Sequence, residues 1–597
     1  MGNRPLAFLF LGLVLFLAIL WGSRPLIHDD LFFHLATGQY VVEHYEVPTT
    51  DLFSFTRQGE PWVSHEWGFG VLAHFFWLAG GDWALVALKA TAVVAILLAL
   101  LALMIRRSGA RFAAPPAGLV ALLAVSLWAI NDQLILRASL FSSLFVLILL
   151  GLLHWFDQRG SRLSAVAIAL LFLLWGNFHG EVIFGLFVLG VVTAEAVGGR
   201  MRTRGPLPGT LFQANPERPY LRLFLVSFVL TLVNPNGVQV LLYPFRLAAF
   251  LFTKGDSLKM GHFGGATPAS FAGFFLLIAI LLLGLLPLER LKILSLTEVV
   301  TVGTFLVLSL RSHRFILFFV LFALPVIARQ FGQSHRQGKP LVKSPVLRSL
   351  VLGVTALTVA AAAAAAWQSH ERIPVSRHFP AGAVELLQDE EVEGRLFNHQ
   401  NYGGYLRWKL DEPIFWDGRN LLFASLMEEV AQMPLEQVAE KWGVDHVLLT
   451  DFEYLQMGDQ LLPETWGLVY WDDFVAIYLR RGGGFDPVLE GSEMRLLPPF
   501  GGVEGLNILA QDATQVAAAR RELDHVLRFE PGCQRALYLH GLISFYEGDS
   551  ERAESELRWA LALGPKPHVY DALARVLDSL DRQQEALELR RRAIDAE

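Results

Sequence analysis

Cysteine is nearly absent: Cys533 is the one thiol in 597 residues. A single thiol excludes an intrachain disulfide and any cysteine-built zinc cluster. Charge is scarce too, with Asp, Glu, Lys and Arg supplying 18% of the chain against 53% hydrophobic residues. A soluble chain of this size carries more. The formal net charge of −7 is mild and argues against nucleic-acid binding. No small-residue cleavage site follows the first apolar run, Leu6–Leu20, so that run reads as a retained first span. In the later apolar runs only Glu298 puts a charge near a span centre, which argues against a transporter.

Long apolar runs are what the chain does have. A helix crosses the hydrocarbon in roughly 20 residues. That length places spans near 5–22, 83–105, 115–131, 138–156, 163–178, 181–198, 221–235, 268–287, 291–310, 313–330 and 346–367, about eleven in all. The stretch Glu66–Gly80 is apolar, but His74 interrupts it and Gly80-Gly81-Asp82 ends it. It reads as a helix lying at the membrane surface. Basic residues then fix the orientation. With Arg4 inside, the inner loops hold Arg106, Arg107, Arg111, Arg159, Arg162, Arg200, Arg202, Arg204, Arg218, Arg222, Arg290, Lys292, Arg329, Arg336, Lys339, Lys343 and Arg348. Counting Glu66–Gly80 as a span would put most of these outside. The N-terminus is therefore expected in the cytoplasm, and everything after Trp367 outside it.

The first outer loop, residues 23–82, gathers carboxylates and imidazoles beside the membrane: His28, Asp29, Asp30, His34, Glu43, Asp51, His65 and Glu66. Ionisable groups at a membrane boundary cost free energy and mark a functional site by default. His34 stands four residues after Asp30, so a helix starting there puts both on one face. Other outer features are Arg137 after Asn131-Asp132-Gln133, the W-G-N-F-H-G-E turn with Asn177, His179 and Glu181, and the R-S-H-R turn with Arg311, His313 and Arg314. Two arginines in an outer turn run against the charge bias, which an anionic headgroup such as a lipid phosphate would explain. After Asn234-Pro235-Asn236-Gly237, the run Leu241–Phe252 fits a helix along the interface.

Composition changes after residue 367. Residues 368–490 carry strand-like runs at Arg395–Phe397, Pro413–Phe415, His446–Leu449 and Trp466–Arg480, the last read as two strands joined near Trp471-Asp472-Asp473. Helical periodicity appears at Ala383–Gln388 and Leu421–Val430. A small extracytoplasmic α/β domain is expected. From 501 to 597 the pattern is helical and repeats: Ala519 with Ala553, Pro531 with Pro565, and Asn507 with Gly541 are each 34 residues apart. Ala586 follows Ala553 by 33. The period is that of tetratricopeptide repeats, which suit a partner-binding platform or a cap on the preceding domain.

The stretches H-D-D-L-F-F-H-L-A-T-G, P-T-T-D-L-F-S-F-T, W-V-S-H-E-W, G-N-F-H-G-E and F-N-H-Q-N-Y-G-G-Y-L resemble a bacterial branch of the GT-C membrane glycosyltransferases that often ends in tetratricopeptide repeats. The resemblance covers nearly the whole chain, with residues 1–367 similar to the membrane domain of that superfamily, whose members include protein O-mannosyltransferases, the aminoarabinose transferase of lipid A and the catalytic subunit of oligosaccharyltransferase. The resemblance implies a multi-pass α-helical protein of a bacterial inner membrane. It implies transfer of a sugar from a polyprenyl-phosphate donor to an extracytoplasmic glycan, lipid or protein. The family's catalytic carboxylate, an acidic residue of the first outer loop, falls on Asp29 or Asp30. Many relatives carry Pro-Pro on the second surface helix, where this chain has His65-Glu66-Trp67. Asn401–Leu406, N-Y-G-G-Y-L, is similar to the oligosaccharyltransferase W-W-D-Y-G, but the tryptophans and the Asp are missing, so peptide recognition does not carry over.

The chemistry fits the residues themselves. Sugar transfer from a lipid phosphate uses a carboxylate to deprotonate or orient the acceptor, here Asp29 or Asp30, with Asp29 favoured as nearer the span. Cations stabilise the departing phosphate, here Arg137, Arg311 and Arg314 with His313 beside them. His34, His65 and Glu66 would orient the acceptor or a metal, and Mg2+ and Mn2+ both stay open. Plainer readings fit the same residues. Asp29-Asp30 suits a cap on a helix starting at Leu31. His28, His34 and His65 could gather a metal, although no tight motif is present. Arg311 and Arg314 suit snorkelling to headgroups. Asn177 and His179 suit closure of a polar turn. A non-catalytic membrane scaffold recruiting envelope proteins through its repeats is the competing functional class.

Overall fold

The computed structural model describes residues 4–109, 117–204, 218–254, 267, 270–285, 294–336, 373–500 and 513–595. The chain divides into two compact units, one of Met1–Thr50 with Pro61–Ser376, the other of Asp51–Glu60 with Arg377–Glu597. Ten residues of the loop 23–82 thus belong to the second unit.

Apolar residues on every face require a helix to be surrounded by others, and the first unit is such a bundle. Its helices are α1 (Arg4–Gly22), α2 (Asp30–His44), α3 (Trp67–Ser108), α4 (Ala117–Ala129), α5 (Ala138–Arg159), α6 (Arg162–Gly176), α7 (Val182–Arg204), α8 (Arg218–Thr231), α9 (Gln239–Lys254), α10 (Ala272–Leu285), α11 (Leu296–Arg311) and α12 (Ile316–Arg336). Among the described residues three helices are long and apolar enough to cross a membrane, within Trp67–Ser108, Ala138–Arg159 and His313–Gln330. Six further apolar runs from the sequence fall on the shorter apolar segments Leu11–Gly22, Gly118–Ala129, Arg162–Gly176, Val182–Gly198, Pro219–Thr231 and Ala272–Leu283, the run at 291–310 overlaps α11, and the run at 346–367 lies outside the described residues. α12 forms the centre: Ile316 to Leu324 is buried without interruption, and the helix packs on α3 and α11.

α3 is two helices across a kink. Gly80 and Gly81 leave helical geometry, and Gly81 takes φ 61° with ψ −150°, a conformation open to glycine. The kink separates Trp67–Ala79 from the apolar stretch that follows Asp82. In that stretch Lys89 is buried and donates to the carbonyls of Arg24 (2.5 Å) and Pro25 (3.2 Å), just beyond the end of α1. Glu298 is not in the middle of a span. It is the third residue of α11, in a capping box with Ser295, and pairs with Arg329 at 2.5 Å. Glu195 of α7 reinforces that helix start by accepting from the Leu296 and Thr297 amides. Glu298 thus has the helix-end and ion-pair role of a carboxylate where a helix begins.

The second unit holds a four-stranded sheet of β1 (Leu396–Phe397), β2 (His446–Thr450), β3 (Trp466–Trp471) and β4 (Val475–Arg480), in the order β1-β2-β4-β3. β1 runs parallel to β2, and the other pairings are antiparallel. The expected strand at Pro413–Phe415 is reduced to one bridge, between Ile414 and Ser54. Its partner is the ten-residue segment Asp51–Glu60, and that segment is built into the core of this unit. Asp51 and Asp417 are fully buried around the buried Arg419, which meets Asp51 at 2.6 Å and Asp417 at 2.7 Å. The N-H-Q-N-Y-G-G-Y-L stretch supports that socket. The buried Asn398 side chain donates to the Trp416 carbonyl and accepts from the Phe415 amide, and Gln400 donates to the Asp417 carbonyl.

Among the described residues five helices follow, at Ala513–Phe529, Gln534–Tyr546, Ser550–Leu563, Pro567–Ser579 and Gln583–Asp595, each packed on the next. Ala519, Ala553 and Ala586 are buried between them, and Asn507 lies outside the described residues. These helices join the sheet: Asp473 accepts from the Gln534 and Arg535 amides, and His525 bonds to the Val469 carbonyl.

Candidate functional site

Three backbone close approaches in the first unit gather one cluster. At Gly38 a side chain would meet the Gly70 carbonyl at 2.1 Å, and at Gly70 it would meet the His34 carbonyl at 2.6 Å. The bare glycines let α2 and α3 touch, which sets His34 beside Glu66. Gly68 donates its amide to the Asn177 carbonyl at 3.1 Å, and a side chain there would strike that oxygen. This contact carries the 177–181 turn, and His179 with it, onto Glu66.

Glu66 is the hub. One oxygen meets His179 Nε2 at 2.9 Å, and the other meets His34 Nε2 at 3.3 Å and His65 Nε2 at 3.9 Å. His179 Nδ1 faces Glu181 at 3.1 Å and Ser142 Oγ at 2.8 Å, and Trp175 Nε1 donates to the same Oγ at 2.9 Å. Beside this group Asp30 pairs with Arg137 at 2.5 Å, and His28 Nδ1 lies 3.4 Å from the same carboxylate. Arg314 is within electrostatic reach of Arg137, Asp30, Glu181 and Glu66.

Charge in the cluster is ordered. Burial opposes ionisation of Glu66, but the surrounding imidazoles, His34 first, then His65 and the hydrogen-bonded His179, hold it well below the carboxylate range. Burial also opposes charge on His179, and Glu181 and Glu66 overcome it, raising His179 to about 9. His34 goes the other way: burial outweighs Glu66 and lowers it to about 4. His65 is likewise lowered by burial. At neutral pH the cluster therefore pairs a glutamate anion with one histidine cation and keeps two neutral imidazoles at hand. Burial works against the Asp30 charge as well, and Arg137 keeps that carboxyl below its ordinary value.

Among the described residues, one group of three metal-competent side chains forms here: His65, Glu66 and His179, with ligand atoms all within 4.8 Å. The His28, His34 and His65 grouping weighed from sequence is replaced by this one, because His28 turns to Asp30 and a glutamate takes the centre. His65 Nδ1 lies 3.1 Å from the Val63 carbonyl, which can only accept, so Nδ1 carries the proton and Nε2 keeps its lone pair. Two imidazoles and a carboxylate suit a transition-series divalent ion better than Mg2+. Such an ion would have to displace the His179 proton.

The remaining expected residues divide. Of the two aspartates, Asp30 carries the bond to Arg137. Asp29 is buried at the N-cap of α2 and makes no side-chain capping bond. Asn177 is structural rather than a cavity group: its amide donates to the Leu173 and Val233 carbonyls, fastening the turn to the end of α8. His313 stacks on Phe271 with ring centroids 5.2 Å apart, and Arg311 is an exposed residue ending α11. Sequence reading missed Ser142, Trp175 and Tyr243, whose ring lies 4.1 Å from that of His65. Neutral residues inside apolar helices give no signal of such contacts.

The chain has the GT-C fold, which it shares with solved structures of oligosaccharyltransferase. Three oligosaccharyltransferase structures from Archaeoglobus fulgidus share it. One, named AglB and in complex with an inhibitory peptide and a dolichol-phosphate, has a TM-score of 0.53 at 12% identity, covering 91% of this chain and 86% of that one. A second, in complex with Zn and sulfate, has a TM-score of 0.51 at 13% identity, covering 89% and 85%. The third, tethered with an acceptor peptide containing the NVT sequon via a disulfide bond, has a TM-score of 0.51 at 12% identity, covering 76% and 72%. No family model and no curated protein matches the chain.

Proposed function

We propose that the protein is an integral-membrane glycosyltransferase that moves a sugar from a polyprenyl-phosphate donor to an extracytoplasmic acceptor. The carrying observation is the Asp30–Arg137 pair beside the Glu66–His179 group, on a fold shared with an oligosaccharyltransferase. The complexes of those oligosaccharyltransferases with dolichol-phosphate, with Zn and sulfate, and with peptides support a lipid-linked donor and a cation here.

Arg137 and Arg314 supply positive charge where a donor phosphate would lie, and charge-assisted bonds from guanidinium suit its oxygens. Asp30 is kept ionised next to Arg137, ready to orient or deprotonate the acceptor. His65, Glu66 and His179 would hold a divalent ion, which supplies charge stabilisation for the departing phosphate. His34, neutral against Glu66, keeps that carboxylate oriented.

The spans are those read from the apolar runs, with the N-terminus cytoplasmic, α2, Trp67–Ala79 and α9 at the outer surface, and the second unit extracytoplasmic. The closing helices serve as a tetratricopeptide-like platform, open to an envelope protein partner.

The test is transfer of labelled sugar from polyprenyl phosphate by membranes carrying matched amounts of each variant. Asp30→Asn and Glu66→Gln are each expected to lower the rate by roughly 10²–10⁴. Full activity in both and in the double variant would leave the scaffold reading.

A further inference from the structure

α9 is amphipathic in a way that ties it to the cluster. Val238 just before it, then Leu242, Phe245 and Ala249, are exposed at spacings of four, three and four. Positions so spaced share one helix face. Val240 and Leu241 are buried, and Tyr243 lies inward with its ring 4.1 Å from His65 at an interplanar angle of 34°. The segment is pinned nearby: Asn236 Nδ2 donates to the Ser64 carbonyl at 3.2 Å. A side chain at Gly180 would meet His65 Cδ2 at 3.2 Å, Pro244 Cγ at 3.3 Å and the Val240 carbonyl at 3.6 Å, so bare backbone there lets α9 press onto the H-G-E turn.

His65 is thus fixed at three points. The Val63 carbonyl takes its Nδ1 proton, Tyr243 covers the ring, and His179 lies roughly parallel with centroids 6.2 Å apart. With Nδ1 and the ring plane set, Nε2 has one direction left, toward Glu66. We propose that Tyr243 is a positioning residue for a divalent cation, its ring holding the His65 imidazole so that Nε2 joins Glu66 and His179 as a ligand. The inference rests on the cation reading above and assigns to α9 a part in it. The tilted ring contact carries the role, so phenylalanine can replace tyrosine.

Partners that orient a metal-ligating histidine commonly change metal affinity by about 10–100-fold when removed. The experiment uses the full chain in detergent with Mn2+ alone as the probe, binding being read by electron paramagnetic resonance. Wild type should bind Mn2+, and Glu66→Gln should lose it. Tyr243→Ala should weaken binding by about 10–100-fold, while Tyr243→Phe stays within a few-fold of wild type. Phe245→Ala, which trims the exposed face of the same helix, should leave affinity unchanged and so controls for general loosening of α9. Wild-type affinity in Tyr243→Ala, or equal losses in Tyr243→Ala and Phe245→Ala, overturns the assignment to Tyr243. A wild-type protein that binds no Mn2+ overturns the cation reading and this inference together, while leaving the Asp30 transfer assay to stand or fall alone.

Discussion

Arg137 and Asp30 meet at 2.5 Å although 107 residues separate them in the sequence. Arg137 occupies the N-cap position of α5, and Asp30 opens α2. The pair therefore places a guanidinium at a helix start, where backbone amides also favour an anion. Arg137→Gln is expected to raise KM for the lipid donor by about 10–100-fold, the worth of a hydrogen bond to a charged group. Lysine should restore only part, having no fork. An unchanged donor KM in Arg137→Gln, measured with detergent-solubilised enzyme, would remove this residue from the phosphate site.

A second expectation concerns Arg419. Replacing it with Met leaves Asp51 and Asp417 buried without their cation, and breaking one side of a buried pair costs about 3–5 kcal/mol. Denaturant unfolding followed by tryptophan fluorescence should show that loss. Asp51→Asn should cost less, since Arg419 keeps Asp417.

Stability should also depend on pH through Asp472. Burial, only partly offset by the Phe474 and Val475 amides and the Tyr470 hydroxyl, raises its carboxyl to about 7. The folded form then holds the proton more tightly than the unfolded one. The resulting stabilisation is complete below about 4 and is lost as pH rises through about 7. Asp472→Asn should flatten that part of the stability profile, and an unchanged slope would show that the carboxyl is not the titrating group.

The closing helices should not be separable from the sheet. A side chain at Gly382 would meet the Tyr470 hydroxyl at 2.3 Å and the Phe529 carbonyl at 3.0 Å, and Arg535 lies over the Trp471 ring at 4.5 Å. Deleting residues 501–597 is expected to lower the unfolding temperature of what remains by several degrees, because β3 loses its cover. An unchanged unfolding temperature would make them an independent module.

How far sequence alone reached depends on range. The Asp30–His34 spacing and the apolar runs are local patterns, and the helices follow them. The hairpin of β3 and β4 was legible because its strands adjoin. The Glu66 hub was not, since it depends on Gly68 admitting the Asn177 carbonyl from more than 100 residues away. Glycine records no partner in a single sequence. Pro413–Phe415 read as a strand for the same reason: the run is extended, but its neighbour is Ser54 rather than another strand of the sheet. Asn177 carries the polarity of a site residue and spends it on two carbonyls.

The segment Asp51–Glu60 leads to a point about synthesis. Its unit-mates begin at Arg377, more than 300 residues later. While the chain is being made, Asp51 and Phe53 emerge early and wait for Arg419 and Ile414. The second unit cannot complete its core until the whole bundle has been translated. Loop-closure entropy grows slowly with length, by about 0.6 kcal/mol per doubling, so the long wait adds little to the equilibrium cost. The delay is one of time: until the residues after 377 are made, Asp51 has no Arg419 to pair with.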